Sequence, residues 1–187
     1  MTMLRDKFRG CIAASWVGSA MGAAVEGWSP DRIEKTYGRL ETLEPYQHYP
    51  DRGDWHRPPG TTEDGIERQK LIATAIIEKK GRIQVHDLAA VWVRDLDPAR
   101  MLYKQEDFDR SLLEMARAGV PPIELGRLWP FPNVVSVARG SHPLGLINAG
   151  DPCGAADDSF EVGKLYFPET AFALRWAALY NASIAEA

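Results

Sequence analysis

A chain of 187 residues, 45% hydrophobic and 26% charged, can bury one core and has the balance of an ordinary globular domain. Its net charge of −4 argues against a nucleic-acid binder, which needs a basic surface. No apolar run approaches the ~20 residues of a membrane span. Cys11 and Cys153 lie far apart without metal-ligand spacing, which suits reduced thiols in a cytoplasmic protein.

Residues 8–25 are small, apolar and almost uncharged, and predict a buried first helix. Gly10, Gly18 and Gly22 lie inside it. Each costs about 1 kcal/mol relative to alanine, which points to close helix packing or to a helix ending near a ligand. Glu26 then arrives as an isolated acid before Gly27. It is either part of a glycine-capped helix end or a functional carboxylate, and the helix dipole disfavours the first. Ser29-Pro30-Asp31 starts a short helix, with Ser29 as N-cap and Pro30 in the first position.

Residues 38–60 form a long connection without periodicity that carries Tyr46, His48, Tyr49, Trp55 and His56. Its histidines are either ligands or solvated loop residues. The next segment, Gly60-Thr-Thr-Glu-Asp-Gly65, sets a hydroxyl and two carboxylates side by side ahead of an apolar helical pattern. Thr62, Glu63 and Asp64 read either as a charged helix cap or as oxygen ligands of a hard cation.

Helices are predicted at 64–79, 86–94, 106–117, 121–128, 154–164 and 169–187, with Gly81 closing the first of these. Val134-Val135-Ser136-Val137 is the one β-like run, too short to found a sheet. The expected class is therefore all-α, in one domain over 1–187. In residues 129–145, Arg139, Gly140, Ser141 and His142 offer donors to a phosphate or ribose, and Trp129 and Phe131 offer stacking surfaces. The alternative is a proline-fixed loop that packs its aromatics into the core.

The stretch Gly18-Ser-Ala-Met-Gly-Ala-Ala-Val-Glu-Gly27, the Thr62-Glu63-Asp64-Gly65 segment and a third stretch together resemble the ADP-ribosylglycohydrolase family. The third stretch comprises Pro143-Leu144-Gly145-Leu146, Asn148-Ala149-Gly150-Asp151-Pro152, Ala155-Ala156 and Pro168-Glu169. Family members open on a small-residue helix running into Gly-Asp-Ala-Leu-Gly-Ala-Pro-x-Glu-Gly and carry Thr-Asp-Asp-Thr at a helix start. Because the resemblance begins inside the first apolar stretch, that stretch is not read as a cleaved signal peptide despite Arg5, Lys7 and Arg9 before it.

The chain departs from the family pattern at several points. Ser19 stands for an acid, Glu63 for an aspartate and Gly65 for a threonine, and Leu165, Tyr166 and Phe167 stand where a histidine is common. A second motif of the Gly-Asp-Thr-Asp type, which completes the family's two-metal site, does not occur. With the run of Phe172, Leu174, Trp176, Ala177, Leu179, Tyr180 and Ile184 left without a stop signal, this predicts a fragment, a processed product or one subunit of a split enzyme.

The resemblance implies an N-glycosidic hydrolase, assisted by magnesium or manganese, acting on an ADP-ribosyl or related ribosyl small molecule or modified protein. Thr62, Glu63 and Asp64 would hold metal, Glu26 and Asp64 would share the chemistry across one cleft, and Arg139, Gly140, Ser141 and His142 would meet the substrate. The alternative is a catalytically degenerate member that serves as a binding or assembly subunit. In either case Phe172, Trp176, Leu179 and Tyr180 predict an apolar face for a second copy or a complementary C-terminal chain.

Overall fold

The computed structural model describes residues 2–46, 56–97, 107–129 and 136–187. Among them it contains ten α-helices and no strand, as the sequence predicts. The chain forms two compact units, Met1–Ile66 and Glu67–Ala187.

The first unit holds α1 (Thr2–Ala23), α2 (Pro30–Tyr37) and the first residues of α3 (Asp64–Lys79). The expectation of a buried first helix is half right. The helix forms, but among its described side chains only Ala20 and Ala23 are buried. Phe8, Ile12, Ser15, Ser19 and Ala23 mark its one covered or half-covered stripe, while Trp16 and Val17 are exposed. The close-packing reading of the glycines fails too: a Cβ added at Gly10, Gly18 or Gly22 would meet nothing within 4 Å. The physical reason is that absence of charge is not hydrophobic drive. Alanine, glycine and serine offer little apolar area, and burial stabilises by only about 25 cal/mol per Å².

α2 starts as its sequence says. Ser29 Oγ accepts from Arg32 N–H at 3.3 Å and Pro30 occupies the first turn. Tyr46 and Arg57 form an isolated antiparallel bridge, with N–H···O distances of 3.0 and 3.1 Å. Tyr46 is buried and His56 exposed; His48, Tyr49 and Trp55 lie outside the described residues.

The second unit holds the rest of α3, α4 (Val85–Asp95), α5 (Asp107–Arg117), α6 (Pro122–Leu125) with a 3-10 turn at Gly126–Leu128, α7 (Ser136–Gly140), α8 (His142–Ile147), α9 (Pro152–Gly163) and α10 (Phe172–Glu186). Its core gathers Leu71, Ile72, Leu88, Trp92, Leu112, Leu113, Leu125, Leu165, Phe167 and Leu174. Leu165, Tyr166 and Phe167, which stand where the family commonly has a histidine, are all buried in this core, and Trp92 meets Tyr166 edge-on at 5.2 Å.

The end of α3 differs from expectation in one detail. The left-handed residue is Lys80 (φ 57°), not Gly81, whose N–H instead reaches the Ile76 carbonyl at 3.4 Å. This is the Schellman pattern with its glycine one place late, so a lysine takes the conformation that glycine adopts most easily.

α10 packs against α7, α8 and α9. Ala173, Leu174, Ala177, Ala178 and Asn181 face inward, while Phe172, Trp176, Leu179 and Tyr180 are 54, 48, 58 and 42% exposed. The outward apolar face expected from sequence is therefore present on this chain.

Candidate functional site

The acidic segment begins from a fixed turn. Gly60 has φ 86°, a conformation that favours glycine, and Thr61 Oγ1 donates to the Pro58 carbonyl at 2.8 Å. Thr62, Glu63 and Asp64 follow half-buried, and Gly65 and Ile66 are buried. Asp64 is the first residue of α3, where the helix dipole favours an anion. The Glu63 N–H donates to Ser19 Oγ of α1 at 3.2 Å.

The three side chains offer hard oxygen donors, the right kind for magnesium or manganese. Among the described residues no group of three or more His, Cys, Asp or Glu side chains is arranged to hold an ion. The set fits one edge of a cation site in kind and falls short of a full ligand shell in number.

Glu26 is exposed in a turn beyond α1, shaped by Val25 N–H to the Gly22 carbonyl at 3.1 Å and by Gly27 at φ 75°. Because α1 ends at Ala23, Glu26 stands clear of the last helical turn, and Gly27 takes the left-handed place expected of it. Trp28 then anchors the exit. The Arg32 guanidinium lies 3.7 Å from its ring centroid, and Tyr37 stacks on it at 5.9 Å.

In the second unit, residues 139–142 form the corner between α7 and α8. Arg139 is exposed, while Gly140, Ser141 and His142 are buried. Asn181 Nδ2 donates to Ser141 Oγ at 2.9 Å and to Ser159 Oγ at 2.8 Å, and His142 Nε2 meets the Tyr180 hydroxyl at 2.6 Å. Ser141 and His142 are thus engaged in helix packing. Trp129 packs in the core, edge-on to Phe167 at 6.5 Å; Phe131 lies outside the described residues. The β-like run does not form a strand over its described part, since Ser136 and Val137 open α7.

Burial pushes the His142 imidazole below its ordinary value, with the Arg139 main chain partly offsetting it. The sign follows from linkage. The unfolded chain takes a proton near pH 6.5 while the folded chain resists it until lower pH. This contribution to stability is complete above about pH 6.5 and declines as pH falls towards the lowered value. Urea unfolding at steps from pH 7.5 to 5 is expected to show a falling midpoint that flattens in His142→Gln. Equal slopes in both proteins would place the dependence elsewhere.

The sequence reading missed the polar knot beneath this corner. Asp158 accepts from Arg82 Nε at 2.8 Å, from Arg82 Nη2 at 2.7 Å and from Asn148 Nδ2 at 2.7 Å. Asn148 also donates to the Leu144 carbonyl at 2.9 Å. The Asp151 carboxylate caps α9 by accepting from Gly154 N–H at 2.9 Å. Much of the third family-like stretch therefore locks helices together. The available signal was Asp158 and Asn181, polar residues on otherwise apolar helix faces.

An all-α chain with an acidic helix start tied to a small-residue first helix has the layout that the sequence motifs anticipate. The chain belongs to the ADP-ribosylglycohydrolase family, whose model matches it over residues 1–187. That family is one of hydrolases, generally metal-dependent, with ADP-ribosyl substrates. No curated protein and no solved structure matches the chain. No helix among the described residues is long and apolar enough to cross a membrane.

Proposed function

We propose that this chain supplies one acidic edge of a metal-assisted site that cleaves an N-glycosidic bond of an ADP-ribosyl or related ribosyl substrate. The observation that carries the reading is the 3.2 Å bond from Glu63 N–H to Ser19 Oγ, which joins the first family motif to the start of α3. Thr62, Glu63 and Asp64 would hold magnesium or manganese, which when bound would orient the ribose hydroxyls and the water that replaces the leaving nitrogen. Glu26 would move the proton, facing Asp64 across one cleft. Arg139, Gly140, Ser141 and His142 would meet the substrate, Arg139 being the exposed one of the four.

A second chain, either another copy or a complementary C-terminal one, would dock on the exposed face of α10. A cytoplasmic setting is supported by Cys11 and Cys153, both free thiols. The second reading, a degenerate member acting as a binding or assembly subunit, is favoured by the neutral Ser19 and the hydroxyl-free Gly65.

Calorimetric titration with manganese tests the site. This chain alone is expected to bind weakly, with a Kd no tighter than on the order of millimolar, or not at all, because three side chains replace too little of the ion's water shell. Asp64→Asn should abolish that binding. Tight binding that survives the substitution would show that the ion sits elsewhere. Release of ADP-ribose from ADP-ribosylated arginine and serine peptides, tested with and without an added partner chain, then separates the enzyme from the assembly subunit.

A further inference from the structure

The geometry points to Ser19 as the positioning residue for the acidic helix start: a capping group supplied from a different helix. Glu63 is the residue immediately before α3, so its N–H needs an acceptor from outside the helix's own ladder. In a capping box that acceptor is a Glu or Gln side chain at the third helical position, reaching back to the N-cap N–H. Here that position is Ile66, apolar and 2% exposed, which has no acceptor to offer. Ser19 Oγ takes the N–H instead, at 3.2 Å and half-buried, from 44 positions earlier in the chain.

Three further features support a purpose-built contact. Ser19 lies on the covered stripe of α1, beside buried Ala20 and one turn before buried Ala23, so its backbone is fixed where its hydroxyl is used. The approach to Glu63 is fixed from the other side by the Thr61 hydroxyl on the Pro58 carbonyl at 2.8 Å. The Ile66 N–H then turns to the Glu63 carbonyl at 2.9 Å, so Glu63 is held through both its amide and its carbonyl. With the backbone pinned on both sides, the directions in which the Glu63 and Asp64 side chains leave it are set. Ser19 thus acts through Glu63 without itself carrying charge.

The inference rests on the proposed role of the acidic segment, and its test is read on the metal-free full chain so that the two can fail separately. Ser19→Ala is expected to speed amide exchange at Glu63 by about tenfold, the scale of a lost cap. It is also expected to move the carboxyl-carbon NMR signals of Glu63 and Asp64 towards unfolded values while the amides of α9 and α10 keep their protection. Ser19→Thr, which keeps the hydroxyl, should restore both readouts. Unchanged exchange at Glu63 in Ser19→Ala would overturn the cap. Faster exchange with unmoved carboxyl signals would leave a cap that positions nothing, and would overturn the positioning role. The metal reading stands or falls on the manganese titration and the hydrolase assay, and these metal-free spectra decide the role of Ser19 whichever way those measurements fall.

Discussion

Gly126→Ala is expected to destabilise the second unit by about 3 kcal/mol, the upper end for overpacking. For a chain of this size that is a fall of roughly 10 °C in Tm. A Cβ at Gly126 would lie 2.4 Å from the Lys164 carbonyl oxygen, 2.4 Å from Phe167 N and 2.5 Å from Phe167 O. All three are main-chain atoms, so no rotamer change relieves the clash. The Gly126 N–H also donates to the Lys164 carbonyl at 3.1 Å, so moving the strands of chain apart breaks a bond as well. Gly10→Ala makes the matched control, because an added Cβ there meets nothing within 4 Å. Thermal denaturation followed by circular dichroism should separate the two substitutions. A Gly126→Ala protein melting with the wild type would mean that the contact between the Gly126 turn and residues 164–167 is looser than described.

Asp158→Ala should cost about 3 kcal/mol for a different reason. Asp158 is 5% exposed and accepts from both Arg82 and Asn148. Its removal leaves the buried Asn148 amide with the Leu144 carbonyl alone and withdraws the charge that answers Arg82. Removing one partner of a buried pair is typically worth 3–5 kcal/mol. The lower end applies because the Arg82 side chain is 49% exposed and recovers hydration. Asp158→Asn keeps the shape and should cost less. Chemical denaturation of both variants checks the order, and equal midpoints would show that the neutral amide recovers nothing of the clasp, whose strength would then lie in the charge.

Helix positions were the legible part of this fold. The apolar spacing after Asp64 gave α3 its observed limits, Asp64 to Lys79, and Ser29-Pro30 gave the start of α2. α7 and α8 were missed because each is too short for a period to show, at 5 and 6 residues. Burial of α1 was misjudged because small uncharged residues look the same in sequence whether or not another element covers them. For the candidate site, the residue types at 62–64 showed the chemistry, and its attachment to Ser19 was invisible because it spans 44 positions. The hydrogen bonds of Ser141 and His142 were not legible, because their partners, Asn181 and Tyr180, come from a helix read only for its apolar face.

The Arg82–Asp158 clasp has a consequence during synthesis. Its partners are 76 positions apart, as are Val85 and Glu161, which meet at 3.4 Å. A ribosome adding ~5–20 residues per second delivers the second partner roughly 4 to 15 s after the first. Over that interval α4 has emerged with Leu88, Ala89, Val91 and Trp92, all buried in the finished protein, before α9 exists to pack against it. That half-made surface is what a chaperone would meet on the nascent chain, and α9, once delivered, closes it with a charged latch as well as an apolar face.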